Sequence, residues 1–322
     1  MLMKYKIYQM TFKTAVHFGN GRLSSTENTF YADRLFSALC IEVRKMKGVD
    51  GINKLVEMVK ENRLCISDSF PYVDDVFFLP KPVMHIQTDK KGDSEAKKKF
   101  KKLSFIPVDS LDEFIAGDFN PDISVQKLKF LGEKTMKRSA AIFENDDAEP
   151  YSIGTYEFGE IEKRNDREYI KHDSGLYFII GFENDEVFGF VDEIMYSLQY
   201  DGIGGKISEG LGKFDTVMHD VPDSVIKRLS GKYNRYMSLS VCMANDSELD
   251  RAVENASYTI IKRSGFIKSY DYNDTFVKKN NFYSFSAGSC FDIRFEGDVF
   301  NVGGKGTHPV YRYAKPMLLG VK

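Results

Sequence analysis

Two glycine-rich segments carry the residue types best suited to chemistry in this chain, and the chemistry they suit is the holding of a phosphate backbone. The first, Gly202-Ile203-Gly204-Gly205-Lys206-Ile207-Ser208-Glu209-Gly210-Leu211-Gly212, has five glycines. Backbone without Cβ approaches a polyanion closely, and its N–H groups can cradle phosphate oxygens. Lys206 and Ser208 add a cation and a hydroxyl, and Gly205 is expected at a positive φ. A Walker A loop requires Ser or Thr after the lysine, but Ile207 follows Lys206. A dinucleotide loop opens a helix, whereas this segment follows a helical pattern and enters a strand. A tight helix-to-strand turn needs only one or two glycines, so the surplus points to backbone contact with an RNA strand.

The second segment, Gly303-Gly304-Lys305-Gly306-Thr307-His308-Pro309, runs into Val310-Tyr311-Arg312-Tyr313. Gly304 offers close backbone approach, and Lys305 and Arg312 offer charge. Tyr311 and Tyr313 either stack on bases or are buried by strand alternation. The two loops are expected to converge on one cleft, where Lys206, Lys305 and Arg312 neutralise phosphates. A third candidate is His17, near Arg34 in the first strand-to-helix connection. Its ring suits a hydrogen-bonding or stacking contact, or general acid–base work in metal-independent RNA cleavage. The other histidines, His85, His172, His219 and His308, are scattered, and no metal-ligand spacing is present, so no metal or cofactor is expected.

These residues must be positioned by regular elements. Residues 3–14 alternate as a strand, and residues 31–47 fit a helix with Leu35, Leu39 and Val43 four apart on one face. Short strands are expected near 63–67 and 76–79. Residues 130–158, two aromatic-rich segments around FENDDAEP, read as a long hairpin. A strongly apolar strand at 176–183, a helix at 186–200, the first glycine loop and a strand at 213–218 follow. That order is a βαββαβ unit with a large insertion. The pattern restarts after VPDSV at 221–225, with a strand at 236–243, a helix at 247–255 and strands at 258–267, 282–287, 290–295 and 316–321. The expected fold is α+β. Two ferredoxin-like (RRM-like) domains, 1–220 and 221–322, are expected, the second with loops in place of its second helix.

Composition narrows the function classes. The chain has 322 residues, 42% hydrophobic and 29% charged, with a net charge of −2, which excludes a strongly basic nucleic-acid binder. The balance is uneven: residues 1–220 hold 30 Lys/Arg against 37 Asp/Glu, and residues 221–322 hold 15 against 10. A local phosphate-binding face opposed by acidic surface is therefore permitted. Seven lysines in 89–102 read as a solvated, mobile insertion. Cys40, Cys65, Cys242 and Cys290 form no CxxC pair and are read as reduced and cytoplasmic. The alternating N-terminus is not read as a signal peptide, and no run reaches the roughly 18–20 apolar residues of a membrane span.

Three stretches together resemble a known family. Thr14-Ala15-Val16-His17-Phe18-Gly19 with Phe30-Tyr31-Ala32-Asp33-Arg34-Leu35-Phe36-Ser37-Ala38-Leu39 is similar to the opening of the tag-binding RAMP family of type III-A (Csm) CRISPR effector complexes. Gly204-Gly205-Lys206 through Gly210-Leu211-Gly212-Lys213-Phe214 resembles its glycine loop. His308-Pro309-Val310-Tyr311-Arg312-Tyr313 through Lys315-Pro316-Met317 resembles its C-terminal motif. The resemblance spans nearly the whole chain. It implies a non-catalytic, RNA-binding subunit with two RRM-like domains across a cleft, recognising the repeat-derived 5′ tag of the guide RNA (crRNA). It also implies a β-hairpin thumb, mapped to about 130–158 with Lys137 and Arg138, lying near target RNA. The implied neighbours are the large polymerase-like signalling subunit and the backbone subunit that cleaves target RNA. The implied RNA contacts include His17, Gly19, Arg34, Gly212 and His308. A related RAMP activity, metal-independent processing of guide RNA with His17 as acid or base, is the alternative.

Overall fold

The computed structural model describes residues 3–85, 94–141, 149–164, 167–267, 269, 272 and 277–322. It is a mixed α+β chain. The first strand, Lys4–Phe12, lies between Ser174–Phe182 and Phe214–Asp220 and is antiparallel to both. Leu64–Ile66 and Phe70–Val73 pair with the far side of Ser174–Phe182, and Val76–Pro80 and Phe105–Pro107 extend that edge. Counted as a βαββαβ unit, the strands stand side by side as fourth, first, third, second.

Alternation along the strands splits the core into two layers. Tyr8, Met10, Phe178 and Ile180 face the helices Ala32–Lys60 and Asp185–Asp201, where Leu35, Phe36, Leu39, Val43, Val191 and Ile194 are buried. Ile7, Tyr177 and Ile179 face the opposite layer, formed partly by Val225 and Leu229 of the helix Asp223–Ser230 and by Met237 and Leu319. With both faces covered, every residue of Ser174–Phe182 is buried. That accounts for its unbroken apolar sequence.

The long helix corresponds to the expected 31–47 segment only as far as Gly48, whose φ of 67° and ψ of −156° break it before a second helical run to Lys60. Asn184 caps the other helix, its side chain accepting from the Val187 N–H at 3.0 Å. The expected hairpin is present as Gly132–Ala141 paired with Glu149–Phe158, and Lys137 lies opposite Ile153. Its tip, 142–148, lies outside the described residues, as do 86–93. The rest of the lysine-rich run is a helix, Ser94–Lys102, with Lys99 3.0 Å from Asp122.

In the last third, Tyr236–Ser238 lies between Leu318–Gly320 and Cys290–Phe291, and Ser257 bridges Cys290. Ile260–Arg263 pairs with Phe282–Phe285. The expected strands are shorter than read. The place expected to hold loops contains a further strand pair, Asp298–Asn301 with Tyr311–Ala314.

Polar contacts join the first sheet and its long helix to the strand pairs of the last third. Asp33, at the start of the long helix, accepts from Arg263 Nε at 3.0 Å and Arg263 Nη2 at 2.8 Å, and also from Arg312. Burial works against this charge, yet the Arg263 guanidinium, with Arg312 beside it, holds the Asp33 carboxyl below its usual range. The Tyr313 hydroxyl accepts from Ile66 N–H at 2.9 Å and donates to Ile66 O at 3.1 Å. Arg312, expected on phosphates, is therefore a buried internal cation, and Tyr313 is a core residue and not a stacking platform. Tyr311 is half-buried against the same core. Among the described residues no helix is long and apolar enough to cross a membrane.

Candidate nucleic-acid interface

The first glycine loop folds against the 14–27 connection. Gly205 N–H donates to His17 O, Gly212 N–H to Ala15 O and Ile203 N–H to Gly212 O, each at 2.9 Å. Four of its glycines answer to this internal fit, Gly202 against the Gly212 carbonyl at 2.9 Å among them. A Cβ would stand 2.2 Å from Ile203 O at Gly212, 2.9 Å from His17 O at Gly204 and 2.7 Å from His17 Cδ2 at Gly205. At Gly204 and Gly205 the space a side chain would take is filled by His17 of the same chain. Positive φ occurs at Gly202, Gly204, Gly210 and Gly212, and at Lys206 itself (61°), but not at the expected Gly205. Gly210 alone of these glycines has open space where a Cβ would project. Ser208 is exposed at the loop's crest.

His17 is 7% exposed. Its Nδ1 lies 2.7 Å from Gly154 O, and because a carbonyl only accepts, Nδ1 carries the proton. The ring pins the base of the hairpin to the 14–27 connection. Val16 and Tyr156 exchange backbone hydrogen bonds at 2.9 Å, and Gly154 N–H donates to Leu23 O at 2.9 Å. Arg34 Nη2 donates to Gly19 O at 2.8 Å, its guanidinium 5.9 Å from the Phe18 ring centroid. His17, Gly19 and Arg34 therefore shape the turn that carries the loop and hairpin.

Loop and hairpin meet through side chains. The left-handed backbone at Lys206 sends its ammonium toward the hairpin. There it donates to Tyr151 Oη at 3.1 Å and lies 4.8 Å from that ring's centroid. It also donates to Glu209 Oε1 at 2.7 Å. Lys137 Nζ lies 3.7 Å from Glu209 Oε2. Hydrogen bonds from Ser139 and Lys206 lower the Tyr151 hydroxyl's pKa, and the hydrogen bond from Lys206 lowers that of Glu209. Arg138 is exposed on the hairpin. Sequence reading missed Tyr151 and Glu209; drawing the hairpin register outward from FENDDAEP places Tyr151 opposite Ser139.

The second loop is held differently. His308 Nδ1 donates to Pro309 O at 2.9 Å, and Nε2 lies 2.8 Å from Ser269 Oγ. A Cβ at Gly306 would fall 2.2 Å from the Tyr272 ring, whereas Gly304 has open space. Gly304 and Lys305 are exposed. Adjacent residues of the long helix reach toward the two loops. Arg44 donates to Ser269 Oγ at 3.2 Å, and Lys45 pairs with Asp201 just before the first loop. Among the described residues, no three His, Cys, Asp or Glu side chains are grouped to hold a metal ion.

Residues 231–321 match the family model of the CRISPR Csm4 C-terminal domain. The CRISPR system Cms protein Csm4 of Mycobacterium tuberculosis is 30% identical over 321 residues, covering 99% of this chain and 98% of its own. The protein of that name from Streptococcus thermophilus is 32% identical, covering 98% of each. In fold the chain is similar to one in a Csm3–Csm4 subcomplex of the type III-A interference complex, with a TM-score of 0.63, 18% identity, and 98% and 99% of the two chains covered. A chain of a Csm1–Csm4 cassette with AMPPNP gives 0.60 at 16% identity, covering 99% of this chain and 98% of that one. With full-length similarity at this level, a matching C-terminal model and the same fold, the chain belongs to the Csm4 family.

Proposed function

We propose that this chain is the guide-RNA-binding subunit of a type III-A CRISPR effector complex. In this role it holds the repeat-derived 5′ tag of the crRNA in the cytoplasm and takes no catalytic part. It consists of two ferredoxin-like domains, 1–220 and 221–322; the order Leu318–Gly320, Tyr236–Ser238, Cys290–Phe291 repeats the fourth, first, third order of the first sheet and supports that division. The hairpin 132–158 is its thumb, standing near target RNA at the start of the guide–target duplex. Its neighbours are a Csm1-type large signalling subunit and the first Csm3-type backbone subunit, as the subcomplexes of its structural relatives suggest.

The observation that carries this reading is the junction of the first glycine loop with the hairpin. It sets Lys206 and Lys137 on either side of Glu209, in the loop that also carries the exposed Ser208 and the open Gly210, while Arg138, next along the strand, is exposed on the hairpin's other face. Exposed cations and polar groups on a protruding pair of strands suit a curved single strand, whose phosphates are neutralised while unstacked bases remain readable. Lys305 and Gly304 supply a further contact. The buried His17 ring, bonded to Gly154 O, supports a positioning role over acid–base work.

The test is to purify the assembled complex, crosslink it with ultraviolet light and sequence the bound RNA from its 5′ end. RNA beginning with the repeat-derived tag, crosslinked to peptides from 132–158 or 202–212, is expected. Absence of crosslinks to this chain makes it a structural adaptor. Cleavage of repeat RNA in EDTA by the wild-type chain, lost in His17→Ala, makes it a processing nuclease.

A further inference from the structure

Lys137 and Lys206 come from segments about seventy residues apart in sequence, yet one carboxylate touches both. Glu209 presents Oε1 to Lys206 at 2.7 Å and Oε2 to Lys137 at 3.7 Å. Tyr151 completes the enclosure, its hydroxyl 3.1 Å from the Lys206 ammonium. The three ionic side chains are 26–42% exposed, so a ligand can reach them. A carboxylate held this way has the charge of a phosphodiester. Its two oxygens are spaced much as the two non-bridging oxygens of a phosphate.

We propose that Lys137, Lys206 and Tyr151 form a single phosphodiester subsite bridging loop and hairpin, and that Glu209 occupies it as a built-in competitor when RNA is absent. The inference rests on the RNA-binding reading above and adds a specific occupant and a displacement step. When a phosphate enters, the Glu209 carboxylate swings out to solvent; the 3-10 turn Ile207–Glu209 and the open Gly210 leave room for that movement. Two consequences follow. In the free protein the lysines are kept from pairing with unrelated anions. An RNA phosphate gains only the difference between its own attraction and that of Glu209, so the subsite selects RNA that other contacts have already placed in register.

The experiment uses the full chain and a fluorescein-labelled single-stranded RNA with the host repeat's tag sequence, in anisotropy titrations across a potassium chloride series. Lys206→Ala should weaken binding and flatten the salt dependence, by roughly 0.7 of a log–log slope unit for one lost single-strand phosphate contact. Glu209→Gln should tighten binding about three- to tenfold at low salt, as expected for removing one or two exposed ion pairs, and should steepen the slope. In Lys206→Ala/Glu209→Gln most of that gain should vanish, because the freed subsite has lost its main cation. If Glu209→Gln binds as wild type or more weakly while Lys206→Ala weakens binding, the carboxylate is a brace for the loop. The inference then falls with the RNA reading intact. If Lys206→Ala also matches wild type in affinity and slope, this junction is off the RNA path and both readings fall.

Discussion

Asp68 is the point at which this structure makes its sharpest quantitative demand. It lies 4% exposed in the polar kink Ser67-Asp68-Ser69 that interrupts the second strand of the first sheet. Its Oδ1 accepts from Ala32 N–H, at the start of the long helix, at 2.7 Å and from Val241 N–H, beyond the second sheet's first strand, at 2.9 Å. Its own N–H donates to Leu239 O at 2.9 Å. One side chain thus caps a helix that lacks a side-chain cap of its own and ties the two sheets together. Burial dominates its protonation. Although the Ala32 and Val241 amides favour the anion, the carboxyl is pushed from 3.8 to about 7.

The sign follows from linkage. Between 3.8 and about 7 the unfolded chain has released a proton that the folded chain keeps, so this group's contribution to stability falls as pH rises through that window. Above it the folded state carries a buried anion, at a cost approaching roughly 4 kcal/mol at about 1.36 kcal/mol per tenfold. Asp68→Asn keeps an oxygen for both amides and cannot ionise. Relative to wild type, the variant should gain about 2–4 kcal/mol between about pH 4 and pH 8. The assay is urea unfolding followed by far-UV circular dichroism at fixed ionic strength, since the chain has no Trp. Using the variant-minus-wild-type difference cancels other groups that titrate in the same range. A difference that is flat with pH, or that moves the other way, refutes the assignment of Asp68 as a neutral buried acceptor.

Three further predictions concern packing. Leu39→Asp places an unpaired charge where the wild-type side chain is 1% exposed, and should cost several kcal/mol, lowering the melting midpoint well below that of an exposed-site control. Asp33→Ala leaves Arg263 and Arg312 facing each other without their counter-ion and should cost about 3–5 kcal/mol. Arg312→Ala should cost less, because Arg263 still pairs with Asp33; a loss of RNA affinity without loss of stability in Arg312→Ala would contradict its burial. Gly212→Val, at φ 80° with a Cβ position 2.2 Å from Ile203 O, should destabilise far more than Gly210→Ala, whose space is open and whose cost is about 1 kcal/mol of backbone strain.

What was legible in the sequence was local. The four-residue spacing of Leu35, Leu39 and Val43 gave a helix face that is buried, and the expected end at residue 47 falls just before the break at Gly48. The turn-forming composition of FENDDAEP gave a hairpin whose ten-residue strands pair throughout. The kink at Ser67–Ser69 reads locally as a loop, because its partners lie elsewhere. Ser67 bonds to Ile179, Ser69 to Phe30 and Asp68 to Val241, and no periodicity announces such contacts. Arg312 failed for the same reason. Beside glycines it looks like a phosphate ligand, and only a partner 279 residues away makes it a core cation. The glycine loop shows a subtler gap. Glycine content correctly marked a place of close approach, but the approaching group at Gly204 and Gly205 is His17 of the same chain.

The charge asymmetry of the sequence points away from the candidate RNA face. Residues 221–322 carry the basic excess, 15 against 10, but much of it is committed internally. Arg263 and Arg312 hold Asp33, Arg235 holds Asp292, Arg228 holds Asp112, and Arg294 donates to Leu229 O. Lys315 is buried, and burial lowers its pKa. The acidic first 220 residues, by contrast, present Lys137 and Arg138 on the hairpin and Lys206 in the loop against it, where Glu209 answers both lysines. Counterion release depends on cations that can reach solvent and exchange partners, not on the arithmetic of a segment. The exposed cations of the candidate RNA face therefore lie in the half of the chain with the negative sum, while much of the other half's surplus is engaged in internal contacts, Arg263 and Arg312 with Asp33 among them.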